Sequence, residues 1–180
     1  MSMLNDKVFL IGMPGCGKTT IGKLLAKELN YTFYDMDKYI VDISGKEVHE
    51  LFNEGEEVFR KWETEACKEL SKKRNSIIST GGGVIKTSVN REILRSSGLV
   101  VFIDRPVENI IGDVDINTRP LLKNGADEVY KLYEERYELY KETSHIKVLN
   151  DGFIRDTIDN IKKSLNGRIK IGRASCRERV

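Results

Sequence analysis

The run Gly12-Met13-Pro14-Gly15-Cys16-Gly17-Lys18-Thr19 constrains this chain more than any other stretch of it. It satisfies G-x-x-x-x-G-K-[ST] and stands where that pattern has physical meaning. A strand-length apolar run, Val8-Phe9-Leu10-Ile11, precedes it, and a segment with helical spacing at Ile21, Leu24, Leu25 and Leu29 follows. Gly12, Gly15 and Gly17 let the backbone turn tightly and aim its N–H groups at phosphate oxygens, and the helix from Thr19 adds the positive end of its dipole. Lys18 is spaced to reach β- and γ-phosphates, and the Thr19 hydroxyl to ligate magnesium. A chance glycine-rich turn would not require strand, Lys-Thr pair and amphipathic helix to agree. The ATP-binding set is therefore Gly12, Met13, Pro14, Gly15, Cys16, Gly17, Lys18, Thr19 and Thr20, with Mg2+ as cofactor.

Further strand-length runs occur around Thr32-Phe33-Tyr34, Ile77-Ile78, Leu99 to Ile103, and Ile146 to Leu149. Helical spacing appears at Val58, Trp62, Ala66 and Leu70; at Val129, Leu132, Tyr133, Tyr137 and Tyr140; and at Ile154, Ile158, Ile161 and Leu165. Strands alternating with helices predict a single α/β domain: a five-stranded parallel sheet, helices on both faces, and ligands at the carboxyl ends of the strands. The polar, aperiodic stretch from about 112 to 127 predicts a mobile lid.

Charge and cysteine content exclude several classes. The 30 Lys and Arg against 28 Asp and Glu are scattered, which argues against nucleic acid or a membrane surface as partner. Cys16, Cys67 and Cys176 form an odd set without CxxC spacing, against a disulfide framework or a zinc site. No apolar run approaches the roughly 20 residues that span a bilayer. A soluble, cytoplasmic monomer is expected. A P-loop alone does not separate kinases from GTPases, but a guanine-reading N-K-x-D segment is absent from the sequence. Small-metabolite and nucleoside monophosphate kinases remain.

The acceptor side must then decide. Asp35 and Asp37 follow the second strand, where one carboxylate suits a metal shell and the other substrate hydroxyls; read alone, the pair is equally a helix cap. Arg60 and Glu63 are neighbours on a predicted helix face, and a solvated ion pair would explain them as well. Gly81-Gly82-Gly83 after the third strand is harder to ascribe to packing, since glycine costs backbone entropy; close approach of a ligand to the backbone accounts for it better.

Together these segments, over roughly Lys7 to Leu165, resemble the shikimate kinase family. The resemblance implies transfer of the γ-phosphoryl group of ATP to the 3-hydroxyl of shikimate, giving shikimate 3-phosphate in aromatic amino-acid biosynthesis. It implies that Asp35 organises magnesium through water and that Asp37 holds shikimate hydroxyls. The family's F-R-x-x-E is met by Phe59, Arg60 and Glu63, with Arg60 on the shikimate carboxylate. Its G-G-G is met by Gly81, Gly82 and Gly83, and its reduced Walker B position by Ser79, reaching the metal through water. Its lid signature is met by Arg119, Pro120, Leu121 and Leu122, and its later R-x-x-L-Y by Arg136, Leu139 and Tyr140, which makes Arg136 a second carboxylate clamp. The catalytic set implied is Lys18, Asp37 and Arg119, and Arg119 also joins the ATP-binding set. Asn150 and Asp151 match the family's adenine loop only loosely. The chemistry agrees, since an anionic triol needs fixed guanidinium donors and an acidic acceptor for its hydroxyls.

Two departures stand out: Gly112 where many members carry a basic residue at the lid start, and Cys16 where serine is common. The alternatives are a kinase for another polyol acid such as gluconate, and a catalytically silent P-loop protein that binds a partner. The domain is expected to span 1–167. Residues 168–180 are expected to be a non-native or disordered tail, because the apolar period ends at Leu165 and Asn166-Gly167 is a helix-stop signal. The segment from Ile171 to Val180 resembles a translated sequencing adapter.

Overall fold

The computed structural model describes residues 5–113 and 125–170. Five strands form one parallel sheet in the order β2-β3-β1-β4-β5: β1 Lys7–Ile11, β2 Thr32–Asp35, β3 Ser76–Ser79, β4 Leu99–Asp104 and β5 Ile146–Leu149. The three central strands are buried along their whole length, which is why they read as continuous apolar runs rather than alternating ones. β5, at the edge, alternates buried and exposed residues. Among the described residues, no helix is long and apolar enough to cross a membrane.

Topology explains where the helices lie. The chain leaves β1 toward the β2 edge through α1 (Lys18–Leu29), then returns through α2 (Met36–Ser44), α3 (Val48–Glu54) and α4 (Glu56–Leu70) to β3. It crosses to β4 through α5 (Ser88–Ser97), and reaches β5 by way of α6 (Val107–Asp113) and α7 (Ala126–Thr143). Right-handed crossovers running in opposite directions put their helices on opposite faces. α1 therefore shares a face with α8 (Ile154–Leu165), while α4, α5 and α7 pack side by side on the other. The sheet order reverses at β1, so its carboxyl end opens a crevice between the β3 and β4 loops.

Three expectations need revision. The aperiodic stretch is shorter at both ends than 112–127, because Gly112 and Asp113 close α6 and Ala126 and Asp127 open α7. The face of α4 is rotated from the expected stripe: Phe59, Glu63, Ala66, Cys67 and Leu70 are buried, whereas Val58 and Trp62 are only partly so. Glu63 is buried, which excludes the solvated ion pair that the sequence had left open for it and Arg60. Finally, the ordered chain continues past Gly167. Asn5 pairs with Ile169 through Asn5 N–H to Arg168 O (2.9 Å) and Lys170 N–H to Asn5 O (2.7 Å), the Tyr31 hydroxyl donates to the Lys170 carbonyl, and Ile169 is buried. Arg168 to Lys170 thus belong to the packed body. Residues 114–124 of the expected lid, Arg119 among them, and the segment 171–180 with Cys176 lie outside the described residues.

Candidate active site

The phosphate loop bridges the end of β1 and α1. Gly12 (φ +148°), Gly15 (+83°) and Gly17 (+102°) all sit in backbone regions that side chains rarely adopt, and a Cβ on Gly12 would lie 2.5 Å from the Ile103 carbonyl oxygen. Cys16 N–H donates to the Met13 carbonyl (3.1 Å), closing the turn. Lys18 is buried and folds over the loop, donating to the carbonyls of Gly12 (2.8 Å) and Met13 (3.0 Å). The first turn of α1 presents Thr19 and Thr20 to solvent. Cys16 is fully buried with Lys18 Nζ 3.6 Å from its sulfur, so a small side chain suffices there.

Two side chains at neighbouring strand ends hold the loop from outside. Arg105, the residue after β4, donates from Nη1 to the Gly15 carbonyl (2.9 Å) and from Nη2 to the Asp113 carboxylate. Asn150, the residue after β5, donates to the Cys16 carbonyl (2.9 Å) and accepts from the Thr157 hydroxyl (2.9 Å). Asn150 is buried, so it braces the phosphate loop, while Asp151 beside it is exposed. No sequence motif marks Arg105. Its only signal was a basic residue directly after a strand adjoining β1.

Asp35 ends β2 and caps α2, its Oδ1 accepting from the N–H groups of Asp37 (3.0 Å) and Lys38 (3.3 Å). The capping alternative is therefore real, but it engages only one carboxylate oxygen. Asp35 is also in register with Ser79 on β3, which is in turn in register with Leu10 on β1, two residues before the loop. Asp37 points its carboxylate at the glycine triplet: a Cβ on Gly81 would be 3.2 Å from Asp37 Oδ1 and 3.4 Å from Glu63 Oε2. Surrounding protein, and then the Asp35 carboxylate, push the Asp37 pKa above the usual carboxylate range, against the pull of Lys18 and Arg60.

Arg60 is the hub of a charged cluster on α4. Its Nη1 donates to Glu63 Oε1 (2.8 Å), and Nη2 and Nε donate to Glu56 Oε1 (3.2 and 3.3 Å). Its guanidinium lies over the stacked Phe52 and Phe59 rings, 5.9 and 5.2 Å from their centroids. Glu63 is only 1% exposed, so the pair is no solvated surface bridge. Burial raises the Glu63 pKa, Arg60 lowers it, Asp37 raises it and Arg136 lowers it, so the buried Glu63 feels all three charges. Arg136 is itself buried, on α7.

The glycine triplet fits tightly among these groups. A Cβ on Gly82 would stand 2.7 Å from Pro14 Cδ of the phosphate loop, and one on Gly83 2.5 Å from Arg60 Nη2. The Tyr140 hydroxyl donates to the Gly82 carbonyl (2.6 Å), and its ring stacks on Phe102. The triplet is thus glycine because phosphate loop, Arg60 and Asp37 converge on its backbone. Among the described residues, no group of three or more His, Cys, Asp or Glu could hold a metal unaided.

A model of the shikimate kinase family matches residues 14–166. The chain belongs to the shikimate kinase family. A shikimate kinase of Clostridium botulinum (strain Alaska E43 / Type E3) is 55% identical over 160 residues, covering 89% of this chain and 97% of the relative. A solved shikimate kinase from Acinetobacter baumannii, in complex with shikimate, superposes with a TM-score of 0.84 at 34% identity, covering 92% of this chain and 96% of that one. A gluconokinase from Sinorhizobium meliloti shares the architecture (TM-score 0.61) at 14% identity, a likeness of fold alone. Family membership removes the gluconate kinase and silent-binder alternatives as first readings. Of the family motifs in the sequence, the phosphate loop, D-x-D, F-R-x-x-E, G-G-G and R-x-x-L-Y all border this crevice, and the lid signature lies outside the described residues.

Proposed function

We propose that this chain binds ATP on Gly12–Thr20 and shikimate between Asp37, Arg60, Gly81–Gly83 and Arg136, and transfers the γ-phosphoryl group to the 3-hydroxyl. The observation that carries this reading is the convergence of Asp37 and Arg60 on the glycine triplet beside the phosphate loop, with Arg136 hydrogen-bonded to the Tyr140 hydroxyl that donates to the Gly82 carbonyl. Two guanidinium groups match one carboxylate, and a carboxylate that accepts hydrogen bonds matches the hydroxyls. The Acinetobacter baumannii relative, crystallised with shikimate, supports the same acceptor.

In this mechanism the shikimate oxygen attacks the γ-phosphorus, the bond to the β,γ-bridging oxygen breaks, ADP leaves, and the hydroxyl proton passes to Asp37 or to water. Phosphoryl transfer asks the protein mainly for positioning and charge neutralisation. Lys18 exchanges its two carbonyl partners for phosphate oxygens, and Asp37 orients the attacking hydroxyl. Arg119 spreads γ-phosphate charge from the lid.

The oxygen donors Thr19, Asp35 and Ser79 fit a hard cation such as Mg2+, which supplies charge neutralisation on the phosphates. Asp35 and Ser79 sit side by side at the strand ends, where with Thr19 they would hold the ion and it would neutralise phosphate charge. The reading keeps the enzyme in the cytoplasm, where the buried free thiols Cys16 and Cys67 suit a reducing compartment. A coupled ADP-release assay with shikimate, quinate and gluconate tests the function. Shikimate is expected to be the preferred acceptor, and a higher kcat/KM for gluconate would refute the acceptor site.

A further inference from the structure

We propose that Arg105 is a positioning residue for nucleotide binding, holding the phosphate loop in its anion-binding shape through the Gly15 carbonyl. Across a trans peptide, C=O and the following N–H point in opposite directions. Fixing a carbonyl from outside therefore fixes the aim of the next N–H. Arg105 does this for the plane between Gly15 and Cys16, keeping the Cys16 N–H on the Met13 carbonyl in the turn that closes the loop, and Asn150 does it for the plane between Cys16 and Gly17. Two successive peptide planes of the loop are thus set from the ends of β4 and β5, the strands on one side of β1.

Gly15, at φ +83°, gives that segment conformational freedom that must be removed before phosphate arrives. Asn150 is locked by Thr157 inside the protein, whereas Arg105 works from a more open position and is steadied by the Asp113 carboxylate. A plain surface ion pair with Asp113 is the competing explanation. Asp113 is 67% exposed, and such pairs contribute little. That explanation also leaves unaccounted for the second arm of the guanidinium, a charge-assisted hydrogen bond to a carbonyl of the phosphate loop.

The inference rests on Gly12–Thr19 being the nucleotide site, and the test separates the two. MgADP and shikimate are titrated separately, by calorimetry, into the full chain and into Arg105→Ala and Arg105→Lys. Arg105→Ala is expected to raise the MgADP Kd at least tenfold while the shikimate Kd stays within twofold, and Arg105→Lys to recover part of the loss. MgADP affinity within twofold in Arg105→Ala would overturn the inference, as would parallel loss of both ligands in both variants, the mark of a general structural role. If the unsubstituted chain bound no MgADP, the nucleotide-site reading would fall, and the inference with it.

Discussion

Arg60→Ala is expected to damage two properties at once, and the structure sets the size of each. Arg60 holds the buried Glu63 at 2.8 Å and the half-exposed Glu56 at 3.2 Å. Losing the Glu56 bridge costs at most about 0.5 kcal/mol, as for other exposed helix pairs. Losing the Glu63 partner is different: it strands a carboxylate that is 1% exposed, and breaking a buried pair costs about 3 to 5 kcal/mol. The variant should therefore unfold with a stability deficit of about 3 kcal/mol or more at pH 7. That deficit has a pH signature. Burial already raises the Glu63 pKa and Arg60 opposes the rise, so removing Arg60 lifts it further above the unfolded value. A carboxyl whose folded pKa is raised binds its proton more tightly when folded, so stability is lost as pH rises and regained as it falls. Urea unfolding between pH 7 and 5 should show the deficit shrinking, by up to about 1.4 kcal/mol per pH unit. Adding Glu63→Gln should restore much of the stability at pH 7 but none of the shikimate affinity. That affinity should fall by about 2 to 5 kcal/mol in either background. A deficit below about 1 kcal/mol, or one that does not vary with pH, would refute the argument that Arg60 neutralises a buried carboxylate.

Three further outcomes are expected. Asp37→Asn should abolish phosphoryl transfer with MgADP affinity unchanged, and should leave Tm at pH 7 equal or higher, because the raised pKa means the fold disfavours the Asp37 charge; a lower Tm would contradict that sign. Truncation should discriminate within the C-terminal segment: removing residues 171–180 is expected to leave activity and Tm unchanged, whereas removing 168–180 should cost about 1.5 to 3 kcal/mol, since it strips the buried Ile169 and the pairing with Asn5. Arg119→Ala should lower kcat roughly a thousandfold with a much smaller change in ATP Kd, as for an arginine finger; an effect confined to KM would make it a binding residue.

Much of this site was legible before any coordinates. The glycine spacing, Lys18 and Thr19 define a phosphate loop by themselves, because the motif describes a contiguous backbone shape. The five apolar runs appear as five strands, and the three central ones are apolar in their interiors because they are buried on both faces. The triple glycine after β3 announced a crowded backbone, and Pro14, Arg60 and Asp37 do crowd it. Where the pattern misled, it did so for one physical reason: periodicity records which face is apolar, not what lies opposite. A solvated ion pair stayed open for Arg60 and Glu63 because nothing local says that Glu63 will be buried with Arg60 and Arg136 acting on it. Ile169 looked like a tail residue because its partner, Asn5, is at the other end of the chain.

The sequence by itself determined the strand–helix alternation, the phosphate loop and the chemical inventory of the acceptor site. Only the tertiary structure decided which groups meet. The strand order β2-β3-β1-β4-β5 and right-handed crossovers bring α4 and α7 onto the same face of the sheet, and so bring Arg60 and Arg136 to bear on the same buried Glu63. The same order sets the ends of β4 and β5 beside the phosphate loop, where Arg105 and Asn150 take hold of its carbonyls. Such contacts join residues far apart in the chain, and their energy comes from burial and charge pairing that exist only once the sheet has assembled.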